Sequence, residues 1–209
     1  MSSNEFLERT ASFHNAAVGC MALSQPVDGE RSVPAYQCAL MSIEHSSGML
    51  ALLSMGLPNA ALALLRPQFE TLLRGIWLLY AADEKWVRQY HKPLTASSVN
   101  AADRAPDVKE MFDELATIDR PDVRAVVANL DQYRGVNWKA LNSFTHGGKH
   151  PMSRSALGYP DELVTNVVRN ANGLVCLAVQ FVAILSGDPA SMEPVRRLHD
   201  EYQDCLPLA

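Results

Sequence analysis

The sequence predicts an all-α protein, a single-domain helical bundle, on three observations. Apolar residues recur at spacings of three and four along most of the chain, while the period-2 alternation of a half-buried strand is absent at useful length. Prolines stand where a helix would begin and glycines where one would end. Finally, 209 residues that are 48% hydrophobic are enough to bury one sizeable core.

Element by element, a first helix is predicted from about Asn4 to Ala22, with Phe6, Ala17 and Met21 facing inward. The linker SQPVDGERSVP follows. A second helix is opened by Pro34, whose missing N–H costs nothing in a first turn, and closes near Gly56. The third begins at Pro58 by the same logic and runs to about Ala82, with Pro67 kinking it because a mid-helix proline removes the bond to the carbonyl of Ala63. A short amphipathic helix over 83–91 leads into HKPLTASSVNAADRAP, which reads as an exposed crossover. Short helices are predicted over 107–117, 121–130 and 137–145, the last stopped by Gly147 and Gly148. A long helix over 161–185 and a terminal one over 189–204 complete the chain. The bundle core thus spans 34–186, between an amino-terminal helix and linker (1–33) and a carboxyl-terminal helix (187–209).

Composition narrows the function classes. A net charge of −5 argues against a protein that coats nucleic acid or anionic membrane indiscriminately. The start, MSSNEFLERT, lacks the basic-then-apolar order of a secretory signal, which predicts a cytoplasmic protein. No membrane span is expected, because the most apolar candidate, 57–82, is interrupted by three charges. Cys20, Cys38, Cys176 and Cys205 are far apart, mostly in apolar surroundings, and predict neither disulfides nor zinc. No phosphate-binding glycine loop, nucleophile elbow, H-E-x-x-H or C-x-x-C motif is present, and no cofactor or metal is expected.

Two constellations remain. In LLRPQFETLLRGIW the only charges between Leu57 and Ala82 are Arg66, Glu70 and Arg74, one every four positions. On a wheel turning about 100° per residue, Arg66, Glu70 and Trp77 fall within about 40° of one another, beside Leu62, Leu73 and Tyr80. The opposite side, Leu64, Gln68, Thr71 and Gly75, is no solvent face either, so the helix should be central. Charges withdrawn from water need partners, and Glu44, on the presumed inner side of the second helix with Leu40, Met41, Gly48, Ala51 and Met55, is the candidate. This cluster reads either as an ion-pair network fixing helix register or, since two arginines face one glutamate, as positive charge available to an anion.

The second constellation is WKALNSFTHGGKH, residues 138 to 150. Ser143 and His146 are neighbours on one helical face, with His146 in the last turn, where the helix dipole favours positive charge. Asn142, Ser143 and Lys139 accompany it. The flanking stretch from Asp131 to Asp161 contains Arg134, Lys139, Lys149 and Arg154 with no acid between, either a solvated loop or an anion-facing surface. Asn166 and Asn170, on either side of Arg169, could line the same interior or simply bind neighbouring backbone.

The order R-P-x-x-E-x-x-x-R-x-x-W (Arg66, Pro67, Glu70, Arg74, Trp77), then S-x-x-H-G (Ser143, His146, Gly147), resembles bacterial all-helical proteins related to the HEPN superfamily, over about 34–186. That resemblance implies a helical bundle, commonly dimeric, and a metal-independent ribonuclease of a toxin or phage-defence system. It implies RNA as substrate, an antitoxin or other protein as partner, and a homodimer, which the excess of apolar helix surface also favours. The superfamily's usual mark is an arginine separated from a histidine by four to six residues. Here Lys139 stands at the six-residue separation from His146, leaving Arg66 or Arg74 to bring the guanidinium from another helix. On this reading His146 exchanges protons while Arg66 and Arg74 stabilise phosphate charge, supported by Glu70, Glu44, Ser143, Lys139 and Asn142. The alternative is a non-catalytic helical module that binds a partner protein or a small anionic ligand through the same cluster.

Overall fold

The computed structural model describes residues 3–93, 95 and 105–208, and among them every regular element is helical. In chain order these are α1 (Ser3–Ala22), α2 (Ser32–Ser54), α3 (Pro58–Ala63), α4 (Leu65–Tyr80), α5 (Glu84–His91), α6 (Val108–Leu115), α7 (Pro121–Thr145), α8 (Lys149–Leu157), α9 (Asp161–Leu185) and α10 (Met192–Glu201). Single 3₁₀ turns at Pro189–Ser191 and Gln203–Cys205 flank α10. The crossover expected over 91–106 falls largely outside the described residues.

The architecture is an all-α single-domain bundle with α4 at its centre. Phe69, Leu72, Leu73 and Ile76 of α4 are fully or almost fully buried. They pack with Ile43 of α2, Met111 and Leu115 of α6, Leu130 of α7 and the inner face of α9 from Leu174 to Val182. A smaller second cluster gathers Phe6, Met49, Leu62, Leu65, Leu141, Phe144 and Val168 at the other end. As expected of a central helix, the side of α4 carrying Gln68 and Gly75 is also buried. A Cβ at Gly75 would come within 3.0 Å of both the Ala35 carbonyl oxygen and Cys38 Cβ, so only glycine lets α2 approach this closely.

The proline effect in the central helix falls earlier than at Pro67 itself. Helical pairing breaks at Leu64, dividing the segment into α3 and α4, and the Leu64 N–H bonds to Ala61 in the shorter i→i−3 pattern. The cause lies at Pro67, which has no hydrogen for the Ala63 carbonyl and whose ring crowds it. That oxygen instead faces the Thr145 hydroxyl at 3.5 Å.

Two other boundaries differ from expectation. Residues 121–145 form one helix through Gly135, because Leu130, Tyr133 and Trp138 share an inward side that holds the segment together across a glycine. Past the glycines the chain re-enters a helix at Lys149, with the Ser143 hydroxyl accepting the His150 N–H at 3.1 Å. The outward side of α2 is likewise the one predicted to face in: Leu40, Met41 and Met55 are exposed, along with Glu44. α9 is the one described helix long and apolar enough to cross a membrane by length and composition, and 56% of that stretch is buried in the bundle.

A polar contact crosses the core where α1, α2 and α9 meet. His14, 6% exposed, has Nδ1 3.2 Å from the Ser47 hydroxyl and Nε2 3.2 Å from Asn172 Oδ1, while Asn172 Nδ2 donates to the Cys205 carbonyl. Those partners suit a neutral ring that donates from Nε2 and accepts at Nδ1. Burial, only partly offset by the Asn172 bond, holds the His14 pKa below its ordinary value. The unfolded chain therefore binds a proton below about pH 6.5 that the native protein resists, so stability present above that pH is lost as pH falls toward the depressed native value. Urea midpoints measured from pH 7 to pH 5 should fall, by up to about 1.4 kcal/mol per pH unit from this group. His14→Gln should flatten the slope; an identical slope in the variant would rule His14 out as its source.

Candidate functional site

α4 and α7 lie antiparallel. Ala63 faces Thr145, Phe69 stacks on Tyr133 with ring centroids 5.4 Å apart, and the Arg120 guanidinium lies 5.0 Å from the Tyr80 ring centre. Side chains one turn apart therefore form facing rows: Arg66, Glu70 and Arg74 from α4, Arg134 and Trp138 from α7. Between them is an open cleft of about 430 Å³, closed at one side by residues 105–109 at the start of α6. The Asp107 carboxylate accepts the Glu110 N–H and the Glu110 carboxylate accepts the Asp107 N–H, a reciprocal cap that fixes this closing segment.

Arg66 is the most heavily engaged group. Its Nε donates to Glu70 Oε1 at 2.7 Å, its guanidinium carbon lies 5.1 Å from the Trp138 ring centre, and its Nη1 lies 2.7 Å from His146 Nε2. A guanidinium has only donors, so Nε2 is the acceptor and the imidazole is neutral, with its hydrogen on Nδ1. His146 sits just beyond the last turn of α7, its N–H bonded to the Asn142 carbonyl. The chain then turns through Gly147 at φ 63°. Gly148 completes the turn, where a Cβ would meet the Ser143 hydroxyl at 2.6 Å. Both glycines are thus required by the turn that presents the ring. The ring itself is exposed.

Arg74 stands two turns further along α4 and donates through Nη1 to the Tyr90 hydroxyl at 3.0 Å. Arg134 pairs with Asp131 at 2.5 Å and lies over the Phe112 ring. The arrangement can hold an anion between guanidinium groups, against an indole wall, with a neutral imidazole in contact with one of those groups. Among the described residues, no three His, Cys, Asp or Glu side chains are placed to share a metal ion.

Residues 39–208 match a family described as "Family of unknown function (DUF6988)". The chain belongs to the DUF6988 family. No curated protein and no solved structure matches it. The matched region contains both rows of the cleft and His146, whereas α1 and the first turns of α2 precede it.

Within this DUF6988 chain the sequence-predicted residues separate into groups. Arg66 is in direct contact with both Glu70 and His146, and Arg66, Glu70 and Arg74 line one cleft. His146 touches Arg66 but is not part of the cleft lining. Ser143 and Asn142 act through the backbone, Ser143 on His150 and Asn142 on the His146 N–H, and so shape the turn. Lys139 is exposed and makes no hydrogen bond or ion pair among the described residues. Glu44 is exposed on the outward side of α2 and makes no ion pair among the described residues, where the acid paired with Arg66 is Glu70. Arg169 bears on Phe6 and the Asp204 carbonyl, and Asn170 lines a small separate cavity, both away from the cleft. Arg66 and Glu70 keep 24% and 27% of their side-chain surface exposed, which puts the charges at the edge of the bundle rather than inside it. Arg134 entered the sequence reading only as one cation of the basic stretch between Asp131 and Asp161, and Trp138 was given no role; their i, i+4 spacing on one helix was the available signal that pairs them.

Proposed function

We propose that this protein is a metal-independent endoribonuclease of the HEPN kind, serving a toxin or phage-defence system in the cytoplasm, with Arg66 and His146 at the scissile phosphate. The observation that supports this reading is the 2.7 Å contact between Arg66 Nη1 and His146 Nε2, which brings guanidinium and imidazole together from helices 80 residues apart. It supplies from α4 the arginine that the segment before His146 lacks.

In the proposed step an RNA phosphate draws the Arg66 guanidinium toward itself and frees His146 Nε2. Nε2 takes the proton of the 2′-hydroxyl as that oxygen bonds to phosphorus, and the bond from phosphorus to the 5′-oxygen breaks. The proton then passes to the departing 5′-oxygen, leaving a 2′,3′-cyclic phosphate and a 5′-hydroxyl. Arg66 stabilises the charge that builds on the equatorial oxygens. Glu70 orients Arg66 through its Nε and leaves the other nitrogens to the phosphate.

The test is incubation of the purified protein with total RNA in EDTA. Fragments ending in cyclic phosphate are expected, and His146→Ala should reduce their rate by about 100-fold or more. Intact RNA at high protein concentration, or equal cleavage by the variant, overturns the reading.

A second reading has an observation of its own. Arg66 is already bound by Glu70 and His146, so the cluster can serve as a preformed recognition surface without turnover. A non-catalytic module that binds a small anionic ligand or partner protein would then raise its melting temperature with that ligand and leave RNA intact.

A further inference from the structure

The cations along the cleft differ in one respect. Arg66 has Glu70, Arg134 has Asp131 at 2.5 Å and Lys109 has Asp113 at 2.6 Å. Arg74 has no carboxylate within 4.0 Å among the described residues; its contacts are the neutral Tyr90 hydroxyl at 3.0 Å and the Tyr90 ring at 5.8 Å. Half-buried on α4, it keeps its full positive charge in a place where water only partly compensates it. A guanidinium oriented by a phenol and matched by no acid among the described residues is arranged to meet a negative charge.

The cleft says something about the form of that charge. At about 430 Å³ it falls in the range of small-ligand pockets, roughly 300–1,000 Å³, and it is far larger than one phosphate requires. One wall is the indole of Trp138, a flat surface on which a base can stack beside an arginine. Arg66 and Arg74 are eight residues apart on one helix, about 12 Å along its axis, so both ends are satisfied by an extended phosphate-bearing molecule rather than by a single ion. Because α4 and α7 run antiparallel and Arg66 meets Trp138, Arg134 lies toward the Arg74 end.

We infer that Arg74 is the phosphate-binding residue of a nucleotide subsite whose phosphate end lies away from His146, with Trp138, nearer Arg66, as the wall on which the base stacks. That the nucleotide belongs to an RNA strand rests on the ribonuclease reading; that a nucleotide binds at Arg74 does not. Arg74 holds the ligand and takes no part in bond breaking, so its loss acts on binding, whereas loss of Arg66 acts on the chemical step.

The experiment measures binding of a fluorescein-labelled single-stranded RNA octamer in EDTA to the full-length His146→Ala protein, with AMP and inorganic phosphate as competitors. Arg74→Ala in that background should raise Kd at least about tenfold and Arg74→Lys by less, because lysine keeps the charge but loses the planar fork. AMP should compete at concentrations where inorganic phosphate does not. In the active protein, Arg74→Ala should raise KM and leave kcat unchanged. Equal RNA and AMP affinity in Arg74→Ala and its parent, with both folded by circular dichroism, overturns the inference. So does competition by inorganic phosphate as strong as that by AMP. If Arg74→Ala does not fold, Arg74→Lys carries the comparison, and an unchanged Kd in it together with an unchanged Kd in Trp138→Ala also overturns the inference. Arg74-dependent AMP binding in a protein that never cleaves RNA leaves the subsite standing and removes the ribonuclease reading instead.

Discussion

Trp77→Ala should lower folding stability by about 3–5 kcal/mol, the range for deleting a buried large aromatic side chain. Trp77 has no exposed surface and fills the space between α4 and α6, with its indole N–H donating to Glu114 Oε2 at 2.6 Å. It belongs to the same close-packed cluster as Leu73, Leu78 and Met111, so its removal leaves a cavity in the core. Trp77→Phe keeps most of the packing and gives up one hydrogen bond to a charged acceptor, a loss of about 1.5–3 kcal/mol at most. Urea denaturation followed by circular dichroism reads both values. A loss below about 1 kcal/mol in Trp77→Ala would mean that the α4–α6 contact is not what the packing implies. The tryptophan that ends the R-P-x-x-E-x-x-x-R-x-x-W pattern is therefore a core residue, on the same side of α4 as Arg66 but further along it, buried against Glu114 and outside the cleft lining.

Arg66→Ala should have the opposite profile. Its ion pair with Glu70 is a partly exposed i, i+4 contact, worth about 0.3–0.5 kcal/mol to folding, so the protein should remain folded. RNA cleavage should fall about 10²–10³-fold, the cost of removing one donor aimed at developing charge. That fall should appear in kcat, since the interaction is made with the transition state. Arg66→Lys should recover little, because lysine cannot hold Glu70 and a phosphate oxygen at once through a planar fork. Unchanged kcat in Arg66→Ala, alongside measurable cleavage by the parent, would remove Arg66 from the proposed step.

Much of the fold was legible because local chemistry and tertiary packing agree. Pro58 and Pro121 do open helices, Gly56 and Gly147 do close them at positive φ, and the 161–185 helix has the predicted limits. Phe6, Ala17 and Met21 are buried as their spacing requires. Legibility failed where two forces compete. On α2 both sides are apolar, so a wheel could not tell which side α4 covers; Leu40 and Met41 lie outside while Ser42 and Ser46 lie inside, satisfied by the Gln68 carbonyl and the His14 ring. Over 131–136, left between two predicted helices, burial of Leu130 and approach of Tyr133 to Phe69 outweigh the local cost of Gly135, about 1 kcal/mol.

The candidate site was legible to the same degree and for the same reason. Arg66, Glu70 and Arg74 announce themselves by contrast with an uncharged surrounding, and His146 by its place before two glycines. Arg134 is one positive charge among several in a basic stretch, and Trp138 one aromatic in an amphipathic helix. Only the antiparallel pairing of α4 with α7 selects them from their neighbours. Glu44 fails for the converse reason, since the choice of side on α2 carried it with its neighbours to solvent.

The distance along the chain between Arg66 and His146 has a consequence for biosynthesis. A ribosome that has released α4 has produced the guanidinium row but not the imidazole, which follows Arg66 by 80 residues. Chemistry that needs both groups is withheld until the carboxyl-terminal half has emerged and docked. On the ribonuclease reading, a nascent or truncated polypeptide ending before α7 is complete carries the arginines without the group that moves the proton.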